Sequence, residues 1–293
     1  MGIPGVDLVA LREIDELRAN RGRARLRQQL LWRIRRLGGR VDLNVPEHQA
    51  AFQEVFDAFS PFPNSRLLLV PSGVSNLVPC EASLDHGGLI GFSAVLEIES
   101  NPVALIMRRL FLRRRFVHHE YLSVFEPYRN YAIAPAVLKT SFDFFDELEM
   151  RYVVVLAALE TGRWYWAQCG FTFLERSDRD AVEQWSQQAL RALGIQLDTR
   201  LLVDAGQFLR MGDPQTVSIE DLSQAMPGEA QRFREAALAN NINSFDQIPL
   251  GKAILVCGPE WWGRLDLNGP SRTAFDVFVQ NRLIQLRRRL GFS

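Results

Sequence analysis

Lysine is nearly missing from this 293-residue chain. Only Lys139 and Lys252 occur among its 34 basic residues, which leaves 32 arginines. GC-rich coding produces such a bias, and the outcome is a chain with few nucleophilic amines. Net charge is missing as well: 34 acidic residues match the 34 basic ones, which removes any whole-molecule attraction to nucleic acid or to an anionic surface. An electrostatic partner must be met by a local patch. Cysteine is confined to Cys80, Cys169 and Cys257, far apart and at no metal-ligand spacing, so neither a disulfide framework nor a zinc site is indicated. Long apolar runs are absent too. None approaches the roughly 18 residues of a spanning helix, and the N-terminal stretch acquires charge too early for a secretory leader. The expectation is a cytoplasmic protein with no membrane span.

What is present suits a folded chain. Hydrophobic residues make up 47% and charged ones 23%, and the length allows a substantial core in one large domain or two smaller ones. Residues 1–62 read as an N-terminal helical segment. Leu26, Leu30, Ile34 and Leu37 recur at helical spacing, and Pro46 opens a further helix expected to run to about Phe59. Arg21, Arg23, Arg25, Arg27, Arg33, Arg35 and Arg36 make this the most basic stretch, either a solvated helix face or a dock for an acidic or phosphate-bearing partner.

Residues 63–175 change texture. RLLLV (66–70), LIGFSAVLEI (89–98), VALIMRRLFL (103–112) and HEYLSVF (119–125) are short apolar runs separated by DHGG and ESNP, as in successive antiparallel strands. A helix over about 135–149, a strand at 151–159, a short helix and a strand at 170–174 follow. Residues 176–293 are mostly helical again, with Ser218 as an N-cap and RTAFDVFVQNRLIQLRRRL as the closing helix. KAILVCG (252–258) reads as a last strand, and GPEWWGRLDL after it as a tight turn carrying aromatics. The fold class expected is α/β: a mixed, mostly antiparallel sheet flanked by helices, with N-terminal helices and a long C-terminal helical addition.

The stretch EPYRNYAIAPAVL (126–138) concentrates the chemistry. Arg129, Asn130, Tyr131, Ala132, Ile133 and Ala134 lie between a strand and a helix. Backbone N–H groups at a helix start have no partner within the helix, and small side chains let a phosphate approach them closely. Pro135 fits the first turn, where its missing donor is not needed.

This spacing resembles the acyl-CoA pyrophosphate loop of the GNAT superfamily of N-acyltransferases, whose motif is Arg or Gln, two residues, Gly, one residue, then Gly or Ala. Here it reads R-N-Y-A-I-A. A strand precedes it, a helix and second strand follow, and RWYWAQCGF, some 35 residues on, is similar to the family's aromatic-rich short helix ending in Gly-Phe. The similarity covers residues 66–175, with KAILVCG as a candidate for the family's last strand. It implies a GNAT-like core binding acyl-CoA as acyl donor, and no metal. By resemblance, a main-chain N–H from Val124, Phe125 or Glu126 would receive the thioester carbonyl. Two positions depart from the pattern. Ala132 replaces the first glycine of the loop and adds a Cβ. Trp166 stands where many members have a tyrosine that protonates the leaving thiolate, and an indole cannot usefully give up its proton. Tyr165 is the neighbouring alternative; Trp166 then becomes part of an aromatic cluster or a wall of the acyl pocket.

Acyl transfer to an amine also needs a base. FVHHEYLSVFE offers Glu120 first and His119 second, both on the strand leading to the loop. Strict alternation would put His118, Glu120, Leu122 and Val124 on one face, and His119, Tyr121, Ser123 and Phe125 on the other. Arg108, Arg109, Arg113, Arg114 and Arg115 surround a strand turn, where they would hold the cofactor's phosphates or an acidic acceptor, or simply face water. The expected function is transfer of an acetyl or longer acyl group from acyl-CoA to an amine, such as a lysine- or ornithine-type side chain of a peptide. The alternative is a noncatalytic module of the same fold that uses its arginine-rich helices to hold a partner. Neither nucleic-acid binding nor an oligomeric state is indicated.

Overall fold

The computed structural model describes residues 26–62, 64–71, 77–126, 128–129, 131–158 and 160–289. It is a mixed α/β fold with mostly antiparallel strands flanked by helices. In chain order the elements are α1 (Leu26–Arg36), β1 (Arg40–Asp42), α2 (Pro46–Ala50), α3 (Gln53–Asp57), β2 (Ser65–Leu69), β3 (Glu81–Ser83), the single turn α4 (Asp85–Gly88), β4 (Leu89–Ile98), β5 (Asn101–Phe111) and β6 (Phe116–Val124). They continue with α5 (Ile133–Glu147), β7 (Tyr152–Ala157), α6 (Glu160–Gln168), β8 (Thr172–Phe173), α7 (Arg176–Ala192), α8 (Ala205–Leu209), β9 (Thr216–Val217) and α9 (Ile219–Ala225). Last come α10 (Ala230–Ala239), β10 (Ile248–Pro249), α11 (Leu250–Cys257), β11 (Trp261–Asp266) and α12 (Pro270–Arg289). The described residues gather into two compact units. One holds the chain up to Val153 with Asp266–Asn268 and the residues from Asp276; the other holds Val154–Leu265 with Gly269–Phe275.

In the first unit the strands run β1-β3-β4-β5-β6, with β2 also on β4, and each pair is antiparallel. A tight hairpin joins β4 to β5, where Glu99 and Ser100 take the left-handed φ that hairpin turns favour. Phe92, Ala94, Ile106 and Leu110 share a buried face. Phe56 and Phe59 meet Phe92 edge-on at 5.7 and 5.1 Å, and Phe145 of α5 packs on Phe59 at 6.0 Å. Each buried phenylalanine contributes about 2–3 kcal/mol of apolar burial, so this cluster fixes α5 on the sheet and thereby fixes where α5 begins. The single helix expected over 46–59 is instead the pair α2 and α3. Phe52, wholly buried, breaks the helical backbone at φ −121° and ψ 21°.

β6 carries one residue more than its partner accounts for. Met107 faces Tyr121 and Arg108 faces His119, which leaves Glu120 as the extra residue of a β-bulge. The faces expected from strict alternation are therefore wrong. His119, Leu122 and Val124 oppose Arg108, Ile106 and Ala104 on the face that packs against Phe59 and α5. His118, Tyr121 and Ser123 lie on the other face, opposite Arg109, Met107 and Leu105. One inserted residue reverses the parity of every residue after it.

In the second unit β11 lies between β7 and β8. KAILVCG is helix, not strand: it belongs to α11, whose residues from Ala253 to Cys257 are all buried. Five consecutive apolar residues, all buried, carry no period, so the sequence could not separate strand from helix. The strand is the segment read as a turn. Trp261, Gly263 and Leu265 of β11 are buried while Trp262, Arg264 and Asp266 are half-buried, a period of two. A Cβ on Gly263 would stand 2.7 Å from Trp261 and 2.9 Å from Val155, so glycine is required for close packing. Ser218 caps α9 as expected, accepting from the N–H of Asp221 at 3.0 Å.

Candidate functional site

The phosphate-loop candidates lie where β6 hands over to α5. Ala132 is the N-cap of α5 and adopts φ 56°, ψ 22°, a left-handed conformation in which an alanine is strained and a glycine is not. No side chain caps the helix, and its first turn carries no acidic residue. The first intrahelical bond runs from the N–H of Ala136 to the carbonyl of Ala132 at 3.0 Å. The N–H groups of Ile133 and Ala134 thus precede any acceptor their own helix could supply, and Pro135 has none. Tyr131 and Ala134 are half-buried, and Ile133 is buried. Asn130 lies outside the described residues.

Upstream, the N–H of Phe125 donates to the carbonyl of Val103 at 2.8 Å, and that of Tyr128 to the carbonyl of Phe125 at 2.8 Å. Of the three donors expected for a thioester carbonyl, Phe125 is therefore already engaged; by strand alternation, the N–H groups of Val124 and Glu126 point away from β5. Arg129 Nε donates to the carbonyl of Val124 at 3.2 Å, and its Nη1 lies 3.0 Å from the carboxylate of Glu126, with both side chains well exposed.

The base candidates have different surroundings. Glu120 Oε1 lies 2.6 Å from Arg109 Nη1 and 2.8 Å from His118 Nδ1. Partial burial alone would raise its pKa, but the hydrogen bond and charge of His118, with Arg109 and Arg108, carry it below the ordinary carboxylate value. It is a stable carboxylate at neutral pH. His119 is buried at 3% exposure. Burial, then the charges of Arg108 and His118, push its pKa well below the usual histidine value, so its imidazole is neutral.

Arg108, which sequence reasoning placed only within a turn-side arginine group, is wholly buried on β5. Its Nη1 donates to the carbonyls of Met107 at 2.7 Å and Tyr121 at 2.6 Å, the two residues paired beside the bulge, while its guanidinium lies 5.7 Å from the Phe59 ring. Among the described residues its Nε and Nη2 have no hydrogen-bond partner. Burial lowers its pKa to about 9, which still leaves it charged at neutral pH. The signal was readable: Ala104, Ile106, Arg108 and Leu110 alternate inward, so Arg108 occupies a core position. Arg109 is tied to Glu120, and Arg115 to Glu149. Arg113 and Arg114 are exposed at the opposite end of β6 from the loop, eight residue steps or about 26 Å away. They do not join the phosphate-loop residues.

In the second unit, Trp166 is buried and packs edge-on against Tyr165 at 5.3 Å and Phe171 at 5.2 Å, with Gly162 beside its indole nitrogen. It is a core residue. Tyr165 is half-buried, with its hydroxyl oxygen buried. Cys257 is buried at the end of α11, and burial raises its thiol to about 12, so it is inert as a nucleophile. No group of three or more metal-binding side chains occurs among the described residues. Nor does any described helix have the length and apolarity to cross a membrane. The chain matches no family model and no curated protein.

Proposed function

We propose that the protein is a GNAT-like N-acyltransferase that takes acyl-CoA as donor and an amine as acceptor. One observation carries this reading most: Ala132 holds a strained left-handed conformation at the position of the resemblance's first loop glycine, ahead of an uncapped helix start. The order β6–α5–β7 supports it. So does an extended strand whose last N–H groups alternate toward and away from β5.

In this reading the N–H groups of Ala132, Ile133 and Ala134 receive the diphosphate, with Arg129 alongside. Val124 supplies the N–H for the thioester oxygen, since that of Phe125 is engaged. The acceptor nitrogen loses its proton to Glu120 through water and attacks the carbonyl carbon. The C–S bond then breaks, and the thiolate takes a proton from solvent. Trp166, with no proton to give, supports a second reading, that of a binding module without turnover.

Calorimetric titration with acetyl-CoA and with a long-chain acyl-CoA, followed by assay of CoA released in the presence of amines, separates the two. Binding with amine-dependent release is expected. Binding without release leaves the module; heat from neither donor defeats both. Glu120→Gln should lower kcat by about 10²–10⁴ while leaving acyl-CoA affinity unchanged.

A further inference from the structure

The end of the first unit opposite the phosphate loop carries an arginine cluster that the proposed chemistry does not use. Arg27 of α1 and Arg115 of the β5–β6 turn both ion-pair with Glu149, so two guanidinium groups share one carboxylate. Arg151, whose N–H donates to the carbonyl of Arg115 at 2.7 Å, adds a third cation with an exposed side chain. Arg27 feels this crowding: burial first, then the charges of Arg115 and Arg151, lower its pKa against the single raising influence of Glu149. Next to them Arg113 and Arg114 are exposed and, among the described residues, have no carboxylate partner. Gly87 packs against both, and Gly88, at a left-handed φ, lies between the Leu31 side chain of α1 and Arg113. That contact brings α1 alongside the turn. One helical turn beyond Leu31 stands Arg35, also exposed and without an acidic partner among the described residues. Arg36 lies over the ring of Trp32 at 5.2 Å, and Trp32 is 56% exposed. Asp85 is the exposed acidic residue of this end. Of the arginines elsewhere in the described chain, Arg40, Arg66, Arg179 and Arg200 are matched by carboxylates.

We infer that this end, formed by α1, the Asp85–Gly88 turn, the β5–β6 turn and Arg151, docks on an anionic phospholipid surface. Guanidinium groups pair with phosphate oxygens in a bidentate manner, and each basic side chain held near such a surface adds about a fivefold gain in partitioning. Trp32 is the large apolar side chain these elements expose, and an indole beside guanidinium groups suits the headgroup layer. A single-stranded nucleic acid is held by a series of aromatic faces on which successive bases stack, and Trp32 is, among the described residues, the one large aromatic side chain these elements expose. Net neutrality of the whole chain is no obstacle, because the charge is concentrated at one end.

The test is co-sedimentation of the full chain with vesicles of phosphatidylcholine alone and with vesicles in which about a third of the lipid is phosphatidylserine. Binding to the second only, weakening as salt is raised, is expected. R113E/R114E should reduce it by about 25-fold or more, while R191E on the exposed face of α7 should leave it unchanged. Arg113 and Arg114 make no ion pair among the described residues, so the double variant should keep the wild-type melting temperature, which checks its folding. Equal binding to both vesicles, no binding to either, or binding unaltered in R113E/R114E overturns the inference. So does a soluble oligonucleotide or phosphopeptide that the same variant releases while vesicles are ignored.

Discussion

At its C-terminal end β6 leads through a short loop to Ala132 and an uncapped helix start, while at its N-terminal end it emerges from a turn crowded with arginine. Both ends suit phosphate, by different physics. The first would hold it with backbone N–H groups whose positions are fixed by the fold and which carry no formal charge, so its selectivity comes from shape. The second offers exposed guanidinium side chains with one shared carboxylate, so its attraction is strong, diffuse and sensitive to salt. A site that must hold a diphosphate in one orientation belongs to the first kind. A surface that needs only to stay near many phosphates belongs to the second.

The sharpest way to break this contrast is Ala132→Val. A β-branched side chain at φ 56° is a genuine outlier. The fold should lose about 1–3 kcal/mol and acyl-CoA affinity about a hundredfold, equivalent to about 2.7 kcal/mol. Vesicle binding at the other end should not change. Unaltered acyl-CoA affinity would remove the backbone cradle from the account.

Next in size is Arg108→Met. Between the two ends, Arg108 satisfies the carbonyls of Met107 and Tyr121 beside the bulge. Its loss leaves two part-buried carbonyls without this donor, and denaturant unfolding should show about 1–2 kcal/mol of destabilisation, reduced by whatever the buried charge itself costs. A neutral or stabilising outcome would mean that the guanidinium is dispensable to the bulge.

A smaller effect concerns pH. His119 and Glu120 both have folded-state pKa values lowered from their ordinary ones. Each therefore contributes stability that is fully present above its unfolded value and is lost as pH falls toward the folded one. For His119 the loss begins below about 6.5, its ordinary value. Melting curves from pH 7.5 downward should flatten in that range in a His119→Gln variant, relative to wild type. Smallest is Ala132→Gly, which relieves the left-handed strain but adds chain entropy in the unfolded state; a net gain of a few tenths up to about 1 kcal/mol is expected by thermal melting.

Much of the frame could be read before the structure was known. LIGFSAVLEI matches β4 residue for residue, and the helix after the loop, the strand following it and the Ser218 cap all stand where local pattern put them. These are segments in which propensity, turn residues and burial agree. Three of the failures have separate causes. KAILVCG is too uniformly buried to show a period. WWGRLD is a strand whose glycine serves packing rather than turning. The bulge at Glu120 depends on tertiary pairing, which leaves no mark in the order of residues, and it reversed the faces assigned to the strand beyond it. Trp166 and the arginine turn were legible as features, but their placement in the core and at the far end of β6 required the fold.

The most direct test of the central claim is amide hydrogen exchange of the full chain with and without CoA. Slowed exchange centred on Ala132, Ile133 and Ala134, with Arg113 to Arg115 unaffected, is the expected result. Unchanged exchange at those three amides under saturating CoA would contradict it.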